Sequence, residues 1–166
     1  MKDYKTRSNR PLTEFACDGF DRFAESGRSL PYKRVNGNTT IEVLPEDTVN
    51  GDRCSVFVVS LFGSPIFEAR KTSDGIDSLK IAFTDFFDVW GQPTTTTAER
   101  LNGLLDRAGN HEVIPKNVRV FRCKAPEASL TYIGRGEERV AVGRQYVKAV
   151  AIQPDPNDLK LLHSPV

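Results

Sequence analysis

With 166 residues, of which 39% are hydrophobic, 27% charged and 9% aromatic, the chain has one-domain length and enough apolar surface to bury a core without disulfide or metal staples. Its ten Phe, four Tyr and one Trp argue against disorder, no apolar run reaches transmembrane length, and residues 1–30 hold no secretory apolar region. Cys17, Cys54 and Cys123 are an odd set without C-x-x-C spacing, which points to free thiols in a reducing compartment.

The net charge of +1 hides a segregation. Residues 1–34 hold eight Lys/Arg against five Asp/Glu, residues 35–115 six against twelve, residues 116–153 eight against three, and the last thirteen one against two. Such a chain presents separate basic and acidic faces if the fold keeps the blocks apart, and neutralises them across one sheet if it does not.

In chain order, residues 1–11 read as a basic arm with Lys2, Lys5, Arg7 and Arg10 around Tyr4. A short helix follows, with Thr13 as N-cap, Ala16, Phe20, Phe23 and Ala24 on one face, and Gly27 as the C-terminal stop. Residues 30–50 are turn-rich; Asn36-Gly37 signals a hairpin and residues 39–44 a strand. Residues 54–61 are apolar on both faces and β-branched, the mark of a central strand. Gly63-Ser64-Pro65 turns that strand into residues 66–71, and Asp74-Gly75 turns again before Leu79, Ile81 and Phe83 alternate with Ser78, Lys80 and Ala82. The three segments make an antiparallel meander.

Thr96-Thr97-Ala98-Glu99 has the form of a capping box, with Thr96 as the cap. The stripe Leu101, Leu104, Leu105 and Ala108 then specifies an amphipathic helix that Gly109 closes. After Pro115, residues 118–124, 129–133 and 140–152 read as strands, and residues 154–166 as a proline-containing extended tail. The sum is an α+β fold: one domain over residues 12–153, a mostly antiparallel sheet of about 6–8 strands with two short helices packed on it.

Catalytic patterns are missing. His111 and His163 stand alone, so the sequence proposes no metal site and no cofactor. Cys54 and Cys123 sit inside strand patterns, where a thiol is ordinarily a buried apolar group. Gly134-Arg135-Gly136 lacks the third glycine and following helix of a nucleotide fingerprint. Asp74 with Asp77, Asp85 with Asp88 and Asp155 with Asp158 do acid–base work only if a pocket forces them together. The expectation is a protein that is not an enzyme.

Binding chemistry is better represented. Lys116, Arg119, Arg122, Lys124, Arg135, Arg139, Arg144 and Lys148 run across predicted strands with Phe121, Tyr132 and Tyr146 between them. Cations neutralise phosphates and aromatic faces stack on bases, so this is the composition of a nucleic-acid-binding sheet; Lys116, Arg119, Arg122, Lys124, Tyr132, Arg135, Arg139, Arg144 and Lys148 are the candidate contacts. Strand alternation splits them, because Arg119, Phe121 and Cys123 share one face. The same arginines also suit a solvated sheet surface with guarded edges.

One segment resembles a known family. Leu61-Phe62-Gly63 with Ile66, then Trp90, then Thr94, Thr96, Thr97, Arg100, Leu101 and Asn102 are similar to a strand hairpin and Thr-x-Thr-Thr-x-x-Arg-Leu-Asn helix motif found in small uncharacterised proteins of tailed bacteriophages. The likeness covers roughly residues 55–133; Gly91-Gln92-Pro93 lengthens the approach to the threonines, and both ends of the chain are additional. It transfers no catalytic residue. It implies a phage protein acting in the host bacterial cytoplasm or in the virion. Within the helix motif, Thr96 is the cap, and Arg100 and Asn102 either form a small contact site near the helix's positive end or tie the helix to a neighbouring strand. The resulting expectation is a phage accessory protein that binds nucleic acid. Its rivals are an inhibitor of a host protein, contacting through residues 42–88, and a minor virion or assembly component. No membrane partner is expected, and oligomeric state is not legible.

Overall fold

The computed structural model describes residues 10–26, 31–47, 53–82, 95–116, 118–122, 131–135, 138–143, 149–152 and 161–164. In chain order these form α1 (Arg10–Glu25), β1 (Tyr32–Asn36), β2 (Thr39–Asp47), β3 (Arg53–Leu61), β4 (Ser64–Thr72), β5 (Gly75–Ala82), α2 (Thr95–Asn110), β6 (Arg119–Arg122), β7 (Thr131–Arg135), β8 (Glu138–Gly143), β9 (Ala149–Ile152) and β10 (Leu161–Ser164). The fold is α+β and mostly antiparallel sheet, with two helices, in the class the periodicity implies. Its strands divide between a seven-stranded sheet, β1-β2-β3-β4-β5-β9-β10, and a three-stranded sheet, β6-β7-β8. β10 comes from the segment read as a tail; it pairs with β9 and ends the large sheet. The arm over residues 1–11 falls outside the described residues except for Arg10 and Pro11, which already belong to α1.

The meander β1–β5 follows from turn chemistry. Gly37 has φ 57° at the first central position of the β1–β2 turn, a conformation that glycine adopts without penalty. At the β3–β4 turn both central residues have positive φ, Phe62 at 51° and Gly63 at 82°. A glycine suits the second position; a phenylalanine at the first is against backbone preference.

One face of the large sheet carries the core. Ile41 and Val43 of β2, Phe57, Val59 and Leu61 of β3, Phe67 and Ala69 of β4, and Leu79 and Ile81 of β5 are all buried. They occupy alternate positions, as residues on one face of a strand must, and at Val58 and Ser60 the other face of β3 is buried as well. α1 lays Phe20 and Phe23 onto this face. Phe20 meets Phe57 and Phe67 edge-on, at 5.9 and 5.6 Å between ring centroids, and Phe23 stacks on Phe57 at 5.5 Å. Full burial of each such ring is worth roughly 1.5–3 kcal/mol, with a further fraction from ring geometry. The helix comes this close because Gly19 has no side chain; a Cβ there would lie 2.7 Å from Ile41 Cδ1. Lys71 of β4 reaches the C-terminal end of α1 and donates to the carbonyls of Phe23 (2.8 Å), Ala24 (3.2 Å) and Ser26, where the helix dipole favours a cation.

Helix ends differ from the sequence reading in an instructive way. Thr13 lies inside the first turn of α1 rather than at its cap, and its hydroxyl accepts from Arg100. Thr96 is the second residue of α2 rather than its cap. Gly109 does not close α2. The helix ends in a Schellman arrangement, with Val113 N–H on the Ala108 carbonyl and Glu112 N–H on the Gly109 carbonyl, and the left-handed residue is Glu112 at φ 60°. Gly109 is small for another reason: a Cβ would sit 3.2 Å from the Lys116 backbone as the chain doubles back.

Candidate nucleic-acid interface

The basic block leads into the three-stranded sheet. Val118 and Val120 are buried in the core, which turns one face of β6 inward. Val120 pairs with Ile133, and Ile133 with Val140, so these three occupy one cross-strand row on that face. On the opposite face the register aligns Phe121 with Tyr132 and Tyr132 with Ala141; the adjacent row aligns Arg119 with Gly134 and Gly134 with Arg139. The register thus sets two aromatic positions in the row next to two arginine positions. Arg122, which pairs with Thr131, and Arg135, which pairs with Glu138, alternate to the Val120 face. Of the nine candidate contacts, Arg119, Tyr132 and Arg139 occupy register positions that alternate with the Val120 row, and Lys116 is exposed in the turn after α2. Lys124, Arg144 and Lys148 lie outside the described residues, as do Cys123, Tyr146, Trp90, Asp85 and Asp88.

Phe121 is the residue whose part the sequence understated. Its signal is the i, i+2 alternation with Arg119, and the register adds that its position pairs with that of Tyr132.

α2 holds this sheet against the rest of the protein through the threonine motif. Asn102 uses its amide as a strand edge would: Nδ2 donates to the Val120 carbonyl (3.2 Å) and Oδ1 accepts from the Val120 N–H (2.7 Å). Both groups of one residue on the β6 edge are satisfied by one side chain, which blunts that edge. One turn further on, Asp106 accepts two hydrogen bonds from Arg119, at 3.1 and 3.2 Å. Arg119 is therefore a half-exposed, ion-paired residue. Arg100 turns the other way and is fully buried; Nε donates to Thr39 Oγ1 (3.3 Å) and Nη1 to Thr13 Oγ1 (2.6 Å), joining α2 to α1 and to the start of β2. Burial lowers its pKa from the ordinary guanidinium value, with the Glu99 carboxylate acting in the opposite sense. Arg100 is thus removed from solvent, and Asn102 is engaged with β6.

A second polar cluster joins the helices. Asp21 accepts from Arg107 and lies 2.8 Å from His111 Nε2, and the His111 ring stands edge-on to Phe20 at 5.9 Å. Asp18, on the same side, is 3.4 Å from Arg107. Cys17 is buried beside this cluster, and burial pushes its thiol up to about 12, far from a reactive thiolate. Asp77 pairs with Arg70 at 3.1 Å, and the Asp74 N–H bonds Thr72, so that carboxylate pair belongs to a solvated turn. Among the described residues no group of three or more His, Cys, Asp or Glu could hold a metal ion, and no helix is long and apolar enough to cross a membrane.

No protein-family model, curated protein or solved structure matches the chain.

Proposed function

We propose that the protein is a non-enzymatic binding module that takes single-stranded nucleic acid on the outward face of β6-β7-β8. The observation that carries this reading is the register that sets Phe121 opposite Tyr132 with Arg119 and Arg139 in the next row. Aromatic rings on a sheet stack on unpaired bases, worth about 1–3 kcal/mol per base, and neighbouring cations follow the phosphates. Of the two arginines, Arg139 is the main phosphate contact, since Arg119 is already engaged by Asp106. The phage likeness of residues 55–133 suggests a setting in an infected bacterial cytoplasm, with a place in the virion as the variant of that setting.

The test is fluorescence anisotropy with short labelled single- and double-stranded DNA and RNA across about 50 to 300 mM salt. Single strands bind more tightly, with an affinity that falls as salt rises. Tyr132→Ala and Arg139→Ala weaken binding, while Arg122→Ala on the opposite face does not. Absence of binding at the lowest salt removes the reading.

A second reading, inhibition of a host protein, draws on Phe62. This residue is 69% exposed at the tip of the β3–β4 hairpin, in a left-handed conformation that aromatic residues rarely adopt. Exposed aromatics of this kind commonly anchor protein contacts. Capture of one host protein at fixed stoichiometry, resistant to nuclease and lost with Phe62→Ala, supports it.

A further inference from the structure

We infer that β1 is a docking edge for an acidic, extended segment of a partner protein, which adds to the large sheet as a further strand. β1 stands at the end of the strand order, and among the described residues its one strand neighbour is β2. Its register with β2 runs without a bulge from Tyr32 to Asn36, and four of its five residues are exposed. The two-residue turn makes Asn36 and Thr39 the first hydrogen-bonded pair, and alternation makes Arg34–Ile41 and Tyr32–Val43 the next ones. The N–H and C=O groups of Lys33 and Val35 are consequently directed away from β2. Such alternating donors and acceptors are matched by another polypeptide backbone, not by a phosphodiester chain.

The side chains narrow the partner. Lys33 projects to the face away from the helices and Arg34 to the other, so an incoming strand meets a cation on each side. Neither takes part in an ion pair among the described residues, although Glu42 stands opposite Lys33 in register. Val35 is 64% exposed beside them, an apolar surface that charge alone does not require for guarding an edge. A second copy of the same strand fits poorly, because two-fold antiparallel registers centred on Lys33 or on Arg34 set like charges directly opposite, and the register centred on Val35 runs into the turn at Gly37 after one residue on each side. Acidic residues opposite Lys33 and Arg34, followed by an aliphatic residue opposite Val35, satisfy all three positions.

The probe is a fluorescein-labelled peptide of sequence Thr-Val-Glu-Asp-Ile-Thr, with Thr-Val-Lys-Lys-Ile-Thr as its basic counterpart, added to the full chain. The acidic peptide binds at least about tenfold more tightly than the basic one, and it slows hydrogen exchange of the Lys33 and Val35 amides measured by NMR. The double substitution Lys33→Glu/Arg34→Glu, on exposed positions that leave the circular dichroism spectrum unchanged, reverses the peptide preference. The proposal is overturned if neither peptide binds, if exchange at Lys33 and Val35 is unaffected, or if charge reversal leaves the preference as it was. Protection of the same two amides by protein concentration alone, or by an oligonucleotide, overturns it in favour of self-association or of nucleic acid at this edge.

Discussion

Away from the helices, the large sheet offsets its own charges: Glu68 faces Lys80 across β4 and β5, and Arg70 pairs with Asp77. In the small sheet the register aligns Arg119 with Gly134 and Gly134 with Arg139, and Phe121 with Tyr132, and the carboxylate that meets Arg119, Asp106, is supplied by α2. The large sheet also contributes the buried rings of Phe57 and Phe67, on which Phe20 and Phe23 of α1 pack, whereas the small sheet is joined to the core at Val120, just after the buried Val118, and through Asn102. One region carries the core, and the other is joined to it through β6 and α2. Substitutions in the first should therefore lower global stability, and substitutions in the second should act locally.

The largest effect is expected from alkaline pH. Cys17 is buried between the helices, and its folded pKa of about 12 lies above the ordinary value of 9.0. A thiol raised in the folded state keeps its proton while the unfolded chain loses one, so the stability it supports is complete below pH 9 and is lost as pH climbs toward 12. That loss is on the order of 4 kcal/mol at the top of the window. Urea titrations of the parent and Cys17→Ala should run parallel below pH 9 and converge above it. Replacing Arg100 with Met strips two threonine hydroxyls of their donor at the junction of α1, α2 and β2. It should lower the stability of the whole chain by about 2–4 kcal/mol in chemical denaturation. Gly103→Ala tests the helix crossing, where a Cβ would lie 2.6 Å from Thr13 Cγ2 and 3.0 Å from Cys17 Sγ. A loss of about 1–3 kcal/mol is expected, partly restored by Thr13→Ser, which removes the clashing methyl and keeps the hydroxyl that serves Arg100.

Asn102→Ala sharpens the contrast from the other side. It leaves both backbone groups of Val120 without the side chain that holds them, at about 1–2 kcal/mol, and faster amide exchange should be confined to β6 and β7. If exchange rises across the large sheet as well, the two regions are one cooperative unit. The smallest effect is a gain: Glu112→Gly relieves a left-handed residue and should raise stability by about 0.5–1 kcal/mol, read as a shift in thermal midpoint.

Local chemistry was legible wherever neighbours in sequence are neighbours in space. The β3–β4–β5 meander could be read from alternation and from turns at Gly63 and Gly75, and α2 from its leucine stripe. The pairing of β5 with β9 and of β9 with β10 could not, because register between distant segments leaves no local period. For the same reason three strands of the basic block appeared as part of one sheet when they form their own. Arg100 was legible in part: a tie from its helix to a neighbouring strand was one of the two readings, but its full burial is explained only by the threonines at 13 and 39, brought together by the fold. The candidate interface was half legible, since composition named Arg119, Tyr132 and Arg139 and alternation grouped Arg119 with Phe121, but neither could supply the register between strands or the competing Asp106.

The junction of β5 and β9 also sets an order of events during synthesis. Ala82 lies opposite Ala149, so the chain leaves the large sheet, builds α2 and the small sheet, and returns to the adjoining strand position. β1–β5 can pair hairpin by hairpin as they leave the ribosome, whereas β9 must wait for the whole excursion and the closure of a long loop. In that interval β5 is an open border. Lys80, exposed within the stretch that later pairs with β9, is the residue placed to keep the nascent sheet from recruiting a neighbouring chain before its own last strands arrive.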